Sequence, residues 1–425
     1  IDSMLLLRQI KIADRLSPLA GQVADLLIKD GEIVDLGQIV KTPEGCEEYD
    51  GQGKWVSPGF LDIGAYLGDP GSEDREDVES LAAAGLRGGY TQLAVLPNTS
   101  PVRQDKASVD YLRLKSVGLP VELLPLGAVT KDTAGKELTE MIDLHQAGVV
   151  GFTDGLHPIV QSGVMRLALE YVRSFEGTVI NQPLELSLIP DAHLHEGELS
   201  TRLGMRGLPV IAETIPLQRD LNLLAYTESR LLVHLLSSES GLSILGKARS
   251  AGLRVYGSVS AAHLQFTVDA LSDFDVNFKL MPPLRDESDR IALIEGVKSG
   301  VIQHVASHHQ SHQTEAKRLE FPYAEFGSQF LETCVSQAFT VLGDAMSAEQ
   351  FCSLFSHGPR EALGMNQHII DTGEPAELTL FDPNVEWSPV AADFGHKSVN
   401  TPMIGHTLKG RPVGTYHKNR LWTLV

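Results

Sequence analysis

Cysteine, aromatic residues and positive charge are all scarce in this sequence. Its three cysteines (Cys46, Cys334 and Cys352) are odd in number and far apart, which excludes a disulfide framework. Acidic residues outnumber basic ones by 55 to 35, and the resulting net charge of −20 argues against nucleic acid or an anionic membrane as a partner. No apolar run is long enough to span a bilayer, and no signal-peptide pattern opens the chain, so we expect a cytoplasmic protein.

The remaining composition is that of a globular protein. Hydrophobic residues make up 42% of the chain and charged residues 21%. A length of 425 residues exceeds what one small core needs, and it suits one large domain with an accessory domain.

Both ends of the chain have the pattern of short β-strands. Asp30-Gly31 separates two apolar runs, 24–28 and 32–36, as in a tight hairpin. Further strand-like runs lie at 377–381 and 414–422. We therefore predict a small accessory β-sandwich domain built from both termini, residues 4–57 and 366–425.

The middle of the chain alternates between strand-like and helix-like segments. Eight candidate strands lie at 60–66, 90–96, 121–128, 149–153, 178–182, 231–237, 253–259 and 303–307. Helical patterns between them include 75–86, 136–146, 164–174 and 241–251. This alternation predicts an α/β fold, a (β/α)8 TIM-like barrel over residues 58–365, with its chemistry at the C-terminal ends of the strands.

The end of the first predicted strand lacks metal ligands. Residues two apart on a strand face the same way, so Gly64 and Tyr66 share one face there, and Gly68 follows. Glycine offers no ligand atom, and a phenol with a reference pKa of about 10 is a poor one while protonated. Tyr66 also has the bulk to fill the space of a metal and its water.

The next strand ends carry polar residues that each allow two interpretations. Asn98 could hydrogen-bond a small anionic substrate or cap a turn, and Asp154 could bridge metals or form an Asx turn. His234 lies in an apolar run, where it could be a metal ligand or a core residue whose ring is hydrogen-bonded within the protein. Gln182 is a poor metal ligand compared with imidazole.

Two histidine-rich segments remain. His308, His309 and His312 follow the eighth strand, and three histidines in five residues could bind metal, although no carboxylate lies among them. His193-Leu194-His195 lies outside any predicted barrel strand, and we interpret it as a solvated loop.

Several longer motifs point to one family. They are DLLIKDG (25–31), VSPGF (56–60), LPNTSP (96–101), LTEM (138–141), FTD (152–154), PPLR (282–285) and NTP (400–402). On these motifs the chain resembles the bacterial dihydroorotases from end to end. The resemblance implies an amidohydrolase-type barrel with a two-metal site that interconverts carbamoyl aspartate and dihydroorotate.

Carried over residue by residue, the resemblance implies a site that has lost most of its parts. The family's paired histidines are Gly64 and Tyr66 here, and its substrate-binding arginine is Gly68. A ligand histidine, a substrate-binding asparagine and the catalytic aspartate correspond to Gln182, Met281 and His308. The positions that remain are Asn98, Asp154, His234 and His312.

Three hypotheses follow. The first is a catalytically inactive, dihydroorotase-like protein of pyrimidine biosynthesis, a homodimer with no cofactor and a structural or regulatory role, with aspartate carbamoyltransferase as its partner. The second is an active cyclic amidohydrolase with one zinc ion on Asp154, His234 and His308, and His309 or His312 for acid–base work. The third is a small-ligand binding module that uses Asn98 and His312.

Overall fold

The computed structural model describes residues 4–395 and 397–424. Its strands are β1 (Met4–Ile12), β2 (Val23–Lys29), β3 (Glu32–Gly37), β4 (Glu47–Asp50), β5 (Trp55–Pro58), β6 (Phe60–Ala65), β7 (Tyr90–Val95), β8 (Glu122–Gly127), β9 (Gly151–Phe152), β10 (Val179–Asn181), β11 (Leu194–His195), β12 (Gly207–Leu208), β13 (Leu231–Val233), β14 (Val255–Ser260), β15 (His304–Ala306), β16 (Leu378–Trp387), β17 (Leu408–His417) and β18 (Arg420–Thr423).

The α-helices lie mainly between the strands of the middle region. They are α1 (Val78–Arg87), α2 (Lys106–Lys115), α3 (Met141–Gln146), α4 (Ser162–Arg173), α5 (Glu198–Arg202), α6 (Ile211–Thr227), α7 (Glu239–Ser250), α8 (Ala261–Gln265), α9 (Glu287–Lys298), α10 (Thr314–Lys317), α11 (Cys334–Leu342), α12 (Ala348–Ser353) and α13 (His357–Leu363). Among the described residues, no helix combines the length and the apolar character that crossing a membrane requires.

Eight parallel strands form the predicted barrel. Their order is β15-β14-β13-β10-β9-β8-β7-β6, which follows the chain. β6 and β7 are buried along their whole length, because the barrel interior covers one face and helices cover the other. The fold prediction is therefore confirmed for the barrel.

The barrel closes through a side chain between its first and last strands. Asp62 in β6 accepts hydrogen bonds from the backbone N–H of Ser307 at 2.8 Å and from the Ser307 hydroxyl at 2.5 Å. Asp62 is fully buried, and this burial raises its pKa to about 7. A carboxylate thus links β6 to the segment after β15, just beneath the mouth of the barrel.

Both chain ends build the second sheet, as predicted. Its order is β18-β17-β16-β5-β1-β2-β3, with β4 paired to β1. Leu7, Ile10, Leu26, Leu378 and Leu380 are among the buried residues of its core. The terminal β domain therefore comes from sequence segments more than 300 residues apart.

All eight barrel strands are shorter than the predicted segments, and the structure gives a cause for the end of one strand and the start of one helix. β13 ends at Val233 rather than at residue 237, because Leu235 takes a left-handed backbone conformation with φ 57° and turns the chain out of the strand. α3 begins only at Met141, because the Thr139 hydroxyl donates to the carbonyl of Ala128 at 2.7 Å and holds the preceding segment against β8. The strand and helix types are otherwise confirmed.

Candidate functional site

The deep end of the barrel mouth holds a cavity of about 30 Å³, and an adjoining cavity of about 270 Å³ shares Gln182 and Met281 with it. Gly64, Gln182, His234, Met281 and His308 are among the residues that line the deep cavity. Small-molecule sites usually have volumes of about 300 Å³ or more, whereas a water molecule occupies about 30 Å³. The deeper of the two cavities therefore has no room for a ring-shaped substrate.

Gly64 leaves a space that the His234 ring occupies. The backbone of Gly64 has φ +93°, and a Cβ built there would lie 2.5 Å from Nε2 of His234. The His234 ring is held by a 2.9 Å hydrogen bond between its Nδ1 and the hydroxyl of Ser258. Burial, followed by the nearby His304 and His308, lowers the pKa of His234 to about 3, so the imidazole is neutral.

Gln182 and His308 share one backbone acceptor. The Gln182 amide donates to the carbonyl of Met281 at 3.0 Å, and Nε2 of His308 donates to the same oxygen at 3.1 Å. Burial lowers the pKa of His308 to about 4, so this ring is also neutral. Gln182 and His308 stand at positions to which the family resemblance assigns a metal ligand and the catalytic aspartate. Both are thus hydrogen-bonded to the protein's own backbone.

Asp154 is bound on both carboxylate oxygens by a single residue. Oδ1 accepts from the backbone N–H of Thr130 at 2.9 Å, and Oδ2 accepts from the Thr130 hydroxyl. Asn98 braces the same turn, since its amide donates to the carbonyl of Asp154 at 3.0 Å and accepts from the N–H of Leu156 at 3.1 Å. Both side chains therefore hold the loop after β9 in place.

Tyr66 is not among the residues that line the deep cavity. It is buried, and the guanidinium of Arg75 lies 4.2 Å from its ring centroid. Arg75 in turn donates from Nε and Nη2 to the carbonyl of Ser311. Tyr66 has the bulk to fill a metal site, but its ring packs against Arg75.

Gly68 lies in a turn too tight for an arginine. A Cβ at this position would lie 2.2 Å from the carbonyl oxygen of Ser72 and 2.9 Å from that of Glu76. Both are backbone atoms, which cannot move without unfolding the turn. The family's substrate-binding arginine has no place in this backbone.

His309 and His312 are also engaged within the protein. Nε2 of His309 lies 3.1 Å from the buried carboxylate of Glu76. Nε2 of His312 donates to the carbonyl of Phe326 at 2.7 Å. Burial, with a smaller effect of Arg75, lowers the pKa of His312 to about 3.

The donors at the mouth do not fit a metal ion. Within residues 4–395 and 397–424, one group of three His, Cys, Asp or Glu residues has its ligand atoms within 4.8 Å of one another, and it is His195, Asp286 and Asp289. The zinc ligands of the second hypothesis, Asp154, His234 and His308, are not brought together in this way.

His195 is not the solvated residue that its motif suggests. It lies on β11, which pairs with β12, and only 5% of its surface is exposed. Arg285 donates to its Nδ1 at 3.1 Å, and an arginine only donates, so the proton is on Nε2, which faces Asp286 at 3.2 Å. A protonated Nε2 is not available to a metal ion.

Sequence reasoning missed the residues that hold these side chains. Ser258, Thr130 and the Met281 carbonyl lie far along the chain from the groups that they bind. Asp62 is the exception that the sequence could have revealed, because a carboxylate inside the apolar run Phe60-Leu61-Asp62-Ile63 needs a buried hydrogen-bond partner.

A family model described as dihydro-orotase-like matches residues 53–240. The dihydroorotase of Syntrophotalea carbinolica is 35% identical over 399 residues, which cover 93% of this chain and 94% of that protein. The dihydroorotase of Pelotomaculum thermopropionicum is 35% identical over 402 residues, with 94% of each chain covered.

Solved structures with a similar fold are more distant in sequence. The L-hydantoinase (dihydropyrimidinase) of Arthrobacter aurescens has a TM-score of 0.87 and 21% identity, and the match covers 100% of this chain and 98% of that one. The dihydropyrimidinase of Brevibacillus agri has a TM-score of 0.83 and 19% identity, with 98% and 94% covered. These structures establish the barrel and its accessory sheet as a shared fold.

Proposed function

The chain belongs to the dihydroorotase family of cyclic amidohydrolases, and from that membership we propose that it is a catalytically inactive member with a structural or regulatory role. The observation that carries the proposal is the engagement of Gln182 and His308 by one backbone carbonyl, that of Met281. Among the described residues, no three His, Cys, Asp or Glu side chains of the mouth have ligand atoms within 4.8 Å of one another, which supports the proposal.

Metal-assisted hydrolysis needs three protein ligands that converge on one ion, with an open position and a base beside it. At this mouth Gly64 has no side chain, and Asp154 is bound on both oxygens by Thr130. His308 keeps one buried nitrogen, Nδ1, without a hydrogen-bond partner among the described residues. Together with Nε2 of His234, whose ring is hydrogen-bonded through Nδ1, this makes two imidazole nitrogens, one fewer than the three ligands of a catalytic zinc site.

We expect the purified protein to show no dihydroorotase activity in either direction, with or without added zinc. The dihydroorotase of Syntrophotalea carbinolica is the positive control, and the rate of this protein should be lower by at least about four orders of magnitude. Metal analysis of the same preparation should find well below one equivalent of zinc. A stoichiometric, tightly held zinc together with ordinary turnover would overturn the proposal and favour the single-metal enzyme.

The partner that we propose is aspartate carbamoyltransferase, whose product is the substrate implied by the family resemblance. Its support is the intact barrel and terminal sheet around a mouth without a working set of ligands. We expect the two proteins of the same organism to elute together in size-exclusion chromatography with light scattering at micromolar concentration. Separate elution at both low and moderate salt would contradict this partner and would leave the proposed inactivity to be judged by the activity assay.

A further inference from the structure

The larger of the two cavities at the mouth, which we call the outer cavity, has mainly apolar walls. Its volume of about 270 Å³ is close to the value of about 300 Å³ at which small-molecule sites begin. An apolar cavity of about 150 Å³ takes up benzene, so the outer cavity has room for an aromatic ring with a short substituent. Its apolar lining includes Leu184, Leu186, Ile189, Ala192, Met281 and Phe326.

One wall of the outer cavity belongs to a hydrophobic cluster of the protein. Leu184 and Ala192 are buried members of this cluster, with 1% and 6% of their surfaces exposed. Leu186, Ile189 and Met281 pack against the cluster and are only partly buried. An apolar ligand would remove the rest of their surface from water, which favours binding.

The opposite part of the lining comes from the loop 321–327, whose carbonyl groups are held by buried side chains. The ammonium group of Lys279 donates to three of these carbonyls, which uses all of its N–H groups, and Lys317 donates to two more. Nε2 of His312 donates to the carbonyl of Phe326. Because the loop is fixed in this way, the cavity is formed before a ligand binds, and little ordering cost remains.

Neither an anion nor a cation is favoured in the outer cavity. Among its described lining residues only Glu325 is charged, so an anion would meet a carboxylate and no basic side chain. Glu325 is exposed, so an ion pair between its carboxylate and a cation would gain little. The ammonium of Lys279 lies 4.6 Å from the ring centroid of Phe326, and its positive charge opposes a cation placed against that ring. An uncharged ligand therefore loses the least on entering.

Two glutamine amides supply the uncharged polar part of the lining. Gln182 donates from Nε2 to the carbonyl of Met281, which leaves its side-chain oxygen as an acceptor. Gln310 lines both cavities and carries a second amide, which can donate and accept. A ligand with an amide of its own can satisfy both groups.

We propose that the outer cavity binds a small uncharged molecule in which an aromatic ring carries a carboxamide. The ring lies among the apolar side chains, and the carboxamide pairs with Gln182 and Gln310. The inference rests on the proposed function, since a mouth without a metal ion can hold such a ligand without hydrolysing it. It gives the proposed regulatory role a ligand of a different class from the anionic substrates that the family resemblance implies.

Three probes of similar shape test the ligand class on the full-length protein. Phenylacetamide, phenylacetate and phenethylamine are neutral, anionic and cationic near neutral pH, and their binding can be measured by ligand-observed NMR titration. Phenylacetamide should bind with a dissociation constant of about 1 mM or lower. The two charged probes should bind at least about tenfold more weakly. Equal or tighter binding of either charged probe would overturn the proposal.

Two variants test the location of the site. Leu186→Trp fills the outer cavity and should weaken phenylacetamide binding by about tenfold or more. Leu188→Trp changes an exposed leucine of the same segment that does not line the cavity, so it is the matched control and should bind as wild type does. Gln310→Met keeps the side-chain length but removes the amide, and it should weaken binding about fivefold. Thermal unfolding by circular dichroism checks that each variant is folded.

The outcomes separate this inference from the proposed inactivity. A protein that shows neither turnover of dihydroorotate nor binding of phenylacetamide would overturn the inference alone. Binding that Leu186→Trp leaves unchanged would overturn it as well, because the ligand would then lie elsewhere. Zinc-dependent turnover would overturn the proposed inactivity and, with it, this inference.

Discussion

Gly64→His is expected to destabilise the fold by about 3 kcal/mol or more and to leave the protein without a bound metal. A side chain at φ +93° carries backbone strain of about 1–3 kcal/mol. Its Cβ would also lie 2.5 Å from Nε2 of His234, and overpacking of this kind costs about 1–3 kcal/mol. The change restores the residue type that the family resemblance implies at this position, but the backbone and His234 both oppose it.

Urea unfolding followed by circular dichroism measures this loss, and metal analysis after zinc loading measures the second outcome. Gly135→His is the matched control, because Gly135 has φ +70° but no heavy atom within 4 Å of an added Cβ. It should carry the backbone strain without the clash, and therefore lose less stability than Gly64→His. A Gly64→His protein as stable as wild type that holds one zinc would show that the site is still rebuildable.

The protein is expected to unfold on mild acidification, before pH 4. The cause is a set of buried, neutral histidines whose pKa values lie far below the ordinary 6.5. They are His234, His263 and His312, each with a pKa of about 3, and His304 and His308, each with a pKa of about 4. In each case burial is the largest cause.

Proton binding determines the direction in which stability changes with pH. Between pH 6.5 and 4 the unfolded chain protonates these histidines and the fold does not, so their contribution is complete above pH 6.5 and is lost as the pH falls. The pKa difference of each histidine between the unfolded and the folded state corresponds to about 3–5 kcal/mol of stability. The total stability of a typical protein is about 5–15 kcal/mol. Asp62 and Asp220 act in the opposite direction, because burial raises their pKa values to about 7 and about 6 and the fold takes up their protons first.

Urea unfolding at pH 7.5, 6.5, 5.5 and 4.5 tests this expectation. His312→Gln retains an amide that can donate to Phe326 and removes one titrating group, so its stability should depend less steeply on pH than that of wild type. Equal stability at pH 7.5 and 4.5 would contradict the role of the buried histidines.

The barrel was predictable from the sequence because its strands are apolar runs separated by helical patterns, and both features are local. The terminal sheet was predictable for the same reason, since Asp30-Gly31 marks a hairpin that the structure contains between β2 and β3. The end of β13 was not, because the left-handed conformation of Leu235 depends on the Ser258 hydroxyl that accepts its N–H at 3.0 Å.

The identity of the side chains at the mouth could be read from the sequence, but their contacts within the fold could not. The sequence shows that residues 64 and 66 are Gly and Tyr, and that residue 308 is His. It does not show that His308 turns toward the Met281 carbonyl, because residues 281 and 308 meet only through the closed barrel. The orientation of Tyr66 likewise depends on Arg75, which lies in the loop before α1.

The Met281 carbonyl also bears on how such a protein can evolve. Each return to an ancestral ligand, at position 182 or at position 308, first removes a hydrogen bond to that oxygen. We therefore expect a single change at either position to destabilise the fold before a metal ion could bind. Under the proposed inactive function, a return to metal binding would therefore need several changes together, because the first of them alone only destabilises the fold.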